Sequence, residues 1–129
     1  MVTPIELLYH IEPLAEGNDK QVFVIQFKGE LDESNIDNTA KEVYKLLDES
    51  ANDLPVLFDF SELGYMNSKS IGYLSDWYTR LGEKGSELLV AAAPENIMDI
   101  LQTVGLDNFI RMFPSVELAK AALLAPPAA

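Results

Sequence analysis

The sequence predicts an α/β fold, a mixed β-sheet with helices packed mainly on one face. Three observations lead there. Short β-branched and aromatic runs alternate with segments of helical periodicity in the order β-β-α-β-α-β-α-β-α, and such alternation implies right-handed crossovers and a mostly parallel sheet. The two opening strands follow one another through a turn-rich segment, which adds an antiparallel pair. At 129 residues, 48% hydrophobic and 23% charged, the chain is one domain long and close to globular averages, with enough apolar side chain to bury a core.

Each element has its own signal. Ile5, Leu7, Tyr9 and Ile11 occupy alternate positions, the pattern of a half-buried strand. Pro13, Gly17, Asn18 and Asp19 mark a turn. Gln21 to Lys28 (QVFVIQFK) reads as the second strand of a hairpin, ended by Gly29-Glu30-Leu31-Asp32. Ser34 is placed to cap a helix over about 35–49, with Asp37 in the position of the usual capping-box Glu and with Ile36, Ala40, Val43 and Leu47 at helical spacing. Asn52, Asp53 and Pro55 break it, and Pro55 to Phe60 (PVLFDF) is short and apolar enough for a strand buried on both faces.

A second helix begins near Ser68, with an apolar stripe of Ile71, Leu74, Tyr78 and Leu81 and a stop at Gly85. Leu88 to Ala93 is another buried strand, closed by Pro94. Ile97, Leu101 and Val104 give a short helix that stops at Gly105, and Phe109 to Phe113 a final short strand. Ser115 caps a last helix carrying Val116, Ala119 and Leu123. The expectation is one domain over 1–124 and a frayed tail over 125–129.

Charge and composition narrow the function. Nine basic against 21 acidic residues leave a net charge of −12, the wrong sign for wrapping nucleic acid or docking on anionic lipid. The absence of cysteine removes disulfides, thiolate metal sites and thiol nucleophiles, and His10, the lone histidine, rules out a multi-histidine metal centre. No apolar run approaches the roughly 18 residues of a membrane span, and Met1-Val2-Thr3-Pro4 lacks the basic region of a signal peptide; a cytoplasmic protein is expected. Glycine-rich phosphate loops and a nucleophile elbow are missing. The acids Glu30, Asp32, Glu33 and Asp37 lack the glycine and terminal glutamate of a calcium loop and read as a solvated acidic loop beside a helix start. No enzyme and no cofactor are expected.

The most informative stretch runs from Val56 through Asp59-Phe60-Ser61 to Asn67-Ser68-Lys69-Ser70-Ile71-Gly72. An apolar strand ends in an acid, and a small polar cluster opens a helix. This resembles the STAS domain family, best known as bacterial anti-sigma factor antagonists, whose pattern is an apolar strand ending in Asp-Leu-Ser and then Asp-Ser-Ser/Thr-Gly-Leu-Gly at the helix start. Phe27-Lys28-Gly29-Glu30-Leu31-Asp32 is similar to the family's early strand end. Leu89 to Pro94, Ile97 to Leu101 and Val104-Gly105-Leu106 are similar to its late strand, helix and stop.

The resemblance implies partner switching. A kinase that is itself the anti-sigma factor phosphorylates the hydroxyl after the first Ser of the motif, and a serine phosphatase reverses this. Phosphate adds roughly −1.5 to −2 charges at a docking surface, which breaks the interface. The sequence departs from the pattern at that position. Lys69 stands where the phosphoacceptor would, Asn67 replaces Asp and Ser70 replaces Gly. Two readings follow: the switch is lost or moved, or Ser68 or Ser70 takes the phosphate. The partner-binding residues implied are Glu30, Asp32, Asp59, Asn67, Ser68, Lys69, Ser70, Tyr73 and Trp77. Tyr73 and Trp77, four residues apart and off the apolar stripe, read either as interface anchors or as packing against a neighbouring element. The other functions weighed are a scaffold subunit engaging other STAS chains, a small-ligand sensor, and a small hydrolase using the acids near Asp59.

Overall fold

The computed structural model describes residues 2–125. A five-stranded sheet has the order β1-β2-β3-β4-β5, in simple sequence order. β1 (Ile5–Pro13) and β2 (Gln21–Leu31) form the antiparallel hairpin, and β2 then pairs parallel with β3 (Val56–Met66), β3 with β4 (Leu88–Ala91) and β4 with β5 (Arg111–Phe113). The crossovers carry α1 (Ile36–Glu49), α2 (Ser68–Glu83) and α3 (Glu95–Thr103), and α4 (Val116–Leu124) follows β5.

Strand alternation sorts the apolar side chains to two faces. Phe23, Ile25, Phe27, Val56, Phe58, Phe60, Leu88 and Val90 meet the stripes of α1, α2 and α3 in the main core. Val22, Val24, Leu57, Leu89 and Ala91 form a smaller core closed by Ala119 of α4. Three helices thus lie on one face and one on the other, which is the expected mixed sheet. The crossover strands β3 and β4 are covered on both sides, as their unbroken apolar runs require.

Several local expectations are corrected. Of the β1 row, Ile5 and Leu7 pack on the main core but Tyr9 and Ile11 are 51% and 53% exposed, because β1 is the sheet edge and an open groove separates these two from Leu46 and Glu49 at the end of α1. β3 does not stop at Phe60 but runs on to Met66 beside an equally extended β2; two register shifts absorb the mismatch, and Leu63 and Met66 are buried anchors. Ser34 does not cap α1. Its hydroxyl donates to Asp32 Oδ1 at 2.6 Å, and the buried Asn35 opens the helix instead, its amide donating to the carbonyls of Thr3 and Glu30 at 2.9 and 2.8 Å. Val104 is exposed, and the last strand begins at Arg111 and not at Phe109, which lies on the surface after a single 3₁₀ turn at Leu106–Asn108. Gly105 ends α3 in a left-handed conformation (φ 81°), as its identity suggested. Of the expected tail, all but Ala125 lies outside the described residues.

Candidate functional site

The site grows from the parallel ends of β2 and β3. Glu30 sits opposite Tyr65 and Leu31 opposite Met66, and the Asn67 N–H donates to the Leu31 carbonyl at 3.1 Å. That register places Glu30 and Asp32 beside the start of α2. Asn67 is the N-cap. Its Oδ1 accepts from the Ser70 N–H at 2.9 Å, satisfying one of the amides a helix start leaves unpaired. The same oxygen accepts from the Ser70 hydroxyl at 2.6 Å. Ser70 is fully buried. Its side chain is a brace within the corner, which removes it from the surface that a kinase would have to reach.

Ser68 and Lys69 are exposed. The Lys69 ammonium crosses to α1 and pairs with Asp37, 2.8 Å from Oδ1 and 3.1 Å from Oδ2. The Tyr73 hydroxyl, one turn further along α2, donates to Asp37 Oδ1 at 2.8 Å. Asp37 therefore receives two donors from α2, and it stands in the first turn of α1, where negative charge is favoured. The Lys69 ammonium first, then the Tyr73 hydroxyl, hold the Asp37 carboxyl below its ordinary value, and Asp37 in turn raises the pKa of both partners. A lysine in a first helical turn opposes the helix dipole; the aspartate beside it offsets that charge.

Further down the same seam Tyr44 donates to Asp76, while Arg80 lies 4.6 Å from the Tyr44 ring centroid and pairs with Asp48 at 2.9 Å. Burial, and then the Asp76 carboxylate, push the Tyr44 hydroxyl up to about 12. Lys84 closes the row by donating to the carbonyls of Leu47 and Ser50 at the end of α1. Polar contacts thus bind α1 to α2 from the corner to the far end.

Trp77 is not a surface anchor. It is 1% exposed, stacked on Tyr73 (6.0 Å between centroids, 18° between planes) and edge-on to Phe58. Tyr73 and Trp77 do share a face, but that face turns toward α1 and the sheet. Asp59 is also apart from the corner. Its carboxylate accepts from the Ser61 N–H at 2.9 Å and from the Gln26 amide at 3.4 Å, on the face of the sheet that carries α4. The acids at 30, 32, 33 and 37 do not converge: among the described residues no three acids or histidines are grouped to hold a metal ion.

A family model for the STAS domain matches residues 13–119. The chain belongs to the STAS domain family. Solved structures agree on the fold. An anti-sigma factor antagonist from Mycobacterium paratuberculosis matches with a TM-score of 0.77 at 20% identity, over 95% of this chain and 96% of that one. The anti-sigma factor antagonist SpoIIAA in its unphosphorylated form matches at 0.69 and 16% identity, over 94% and 100%. The phosphorylated form of the Bacillus cell fate determinant SpoIIAA matches at 0.62 and 17%, over 90% and 99%. At these identities the likeness is one of fold.

Sequence reasoning missed Asp37 as the partner of Lys69. In the sequence the acid reads as a capping-box substitute and a helix-start charge, because nothing local links residues 32 positions apart.

Proposed function

We propose that this STAS domain is an anti-sigma factor antagonist-like binding module that engages an anti-sigma factor of the serine-kinase type through the first turn of α2, with a fixed cation where the family carries its phosphoacceptor. It acts as a cytoplasmic signalling protein and not as an enzyme. The observation that carries the reading is the exposed Lys69 ammonium at the helix start, held by Asp37 and backed by Tyr73. An amine in that place cannot accept the phosphate that would add charge and break the interface. The module therefore binds constitutively or answers to another signal. Glu30 and Asp32, brought beside Asn67 by the β2–β3 register, complete the rim. Asn67 and Ser70 shape the corner from within.

Ser68 retains an exposed hydroxyl, so the test must read phosphate directly. The domain is incubated with the serine-kinase-type anti-sigma factor of its own organism and ATP, then followed by intact-mass spectrometry and size-exclusion chromatography. The expected result is a complex that survives ATP with no added phosphate, while Lys69→Ser gains one phosphate and leaves the complex. Phosphate on Ser68 with release of the wild-type chain would overturn the fixed-corner reading. Absence of any complex would overturn the docking itself.

A further inference from the structure

Independently of the α2 corner, we infer that β1 pairs with β1 of a second copy of this chain, extending the sheet across a two-fold axis. β1 is an edge strand of nine residues, and a free edge is a template for pairing. The hydrogen-bonding sides can be assigned. The Phe23 N–H donates to the Pro55 carbonyl, so Phe23 turns its backbone toward β3 and away from Ile11, its neighbour in β1. The Leu14 N–H donates to the Lys20 carbonyl, so the even positions of β1 face β2. Because the β1–β2 register is unbroken, Ile5, Leu7, Tyr9 and Ile11 all turn N–H and C=O groups to the edge, where they have no strand partner among the described residues. None of the four is proline.

Like-charge repulsion then selects the register. A two-fold antiparallel pair must set residues of the same face opposite one another. With Leu8 on the axis, Leu7 opposes Tyr9 and Ile5 opposes Ile11, which engages all four free positions of both copies. On the other face Leu8 meets Leu8, and Glu6 meets His10. Centring on Tyr9 instead would oppose Glu6 to Glu12 and spend an edge position on Pro13, which has no N–H. The complementary register also covers the apolar side chains that the monomer leaves out: Leu8, Tyr9 and Ile11 are 41%, 51% and 53% exposed. Tyr9 and Ile11 form the outer wall of a groove of about 370 Å³ whose inner wall is Phe23 and Leu46. In the pair, Ile5 and Leu7 of the second copy flank that wall. The chain's −12 charge opposes any self-association, so added salt should tighten it.

The native chain has no cysteine, which makes a single introduced thiol diagnostic. Opposed residues of the non-hydrogen-bonded kind lie about 4.5 Å apart at Cα, within the range of roughly 4.4–6.8 Å that a disulfide spans. Leu8→Cys should convert mostly to a disulfide-linked dimer on mild oxidation, while Glu30→Cys, also exposed but away from the edge, should stay largely reduced. In sedimentation velocity from micromolar to millimolar chain, the wild type should move toward twice the 14.3 kDa protomer mass. Leu8→Lys should keep the wild-type circular dichroism and remain monomeric. A wild type that stays monomeric throughout, or a Leu8→Cys chain that cross-links no faster than Glu30→Cys, overturns the inference.

Discussion

Replacing Asn67 with alanine should destabilise the domain far more when Ser70 is present than when it is absent. One oxygen, Asn67 Oδ1, accepts both the Ser70 N–H at 2.9 Å and the Ser70 hydroxyl at 2.6 Å. Loss of an N-cap side chain costs about 0.5–2 kcal/mol. Here it also leaves a fully buried hydroxyl without a partner, at about 1–3 kcal/mol more. Asn67→Ala should therefore lose roughly 3 kcal/mol, on the order of 10 °C in Tm for a chain of this length. Ser70→Ala removes the hydroxyl together with its need for a partner and should cost only about 1 kcal/mol. In the double variant only the capping loss, about 1 kcal/mol, remains, so the two changes should couple by about 3 kcal/mol. Urea denaturation of the four proteins reads this coupling. Additivity within about 0.5 kcal/mol would refute the assignment of Ser70 as an internal brace.

Trp77→Ala should cost about 3–5 kcal/mol, because the indole is enclosed by Phe27, Phe58, Tyr44 and Tyr73; thermal unfolding checks this, and a near-neutral result would return Trp77 to the surface. Tyr44, pushed up to about 12, favours the folded state while neutral. That contribution is complete below the ordinary tyrosine value of about 10 and fades between there and about 12, which absorbance titration of the wild type against Tyr44→Phe would show as one late-ionising tyrosine. Asp37 works in the opposite direction. Its lowered pKa contributes stability above the ordinary aspartate value that is lost as pH falls through the lowered one. Carboxyl-carbon NMR titration should find Asp37 below the usual aspartate range, and Lys69→Gln should move it back up.

Much of this was legible in the sequence because the periodic signal and the packing agree. The Ile36–Ala40–Val43–Leu47 stripe is buried as written, and the glycine after α3 stops it. In α2 Leu74 and Leu81 are buried as the stripe predicts, whereas Ile71 and Tyr78 are only partly buried against the core and Ser70 and Trp77 complete the buried line. A serine does not register as apolar, and only the Asn67 acceptor makes its burial tolerable. The edge position of β1 was equally hidden, since an alternating pattern does not reveal whether a helix covers both ends of a strand. The extension of β3 through Ser61–Met66 depends on β2 running alongside it, a non-local fact. The corner itself was found through its family motif, whereas its partner Asp37 required the α1–α2 packing that no spacing rule encodes.

In the proposed function a partner protein docks on the exposed turn bearing Lys69, whose charge is fixed. The most direct measurement is the Kd of the serine-kinase-type anti-sigma factor for the wild type and for Lys69→Glu, with ATP present. The expected result is a wild-type affinity indifferent to ATP and a loss of roughly tenfold or more for Lys69→Glu, equivalent to about 1.4 kcal/mol at a desolvated charged contact. Equal affinities for a folded Lys69→Glu chain and the wild type would contradict it.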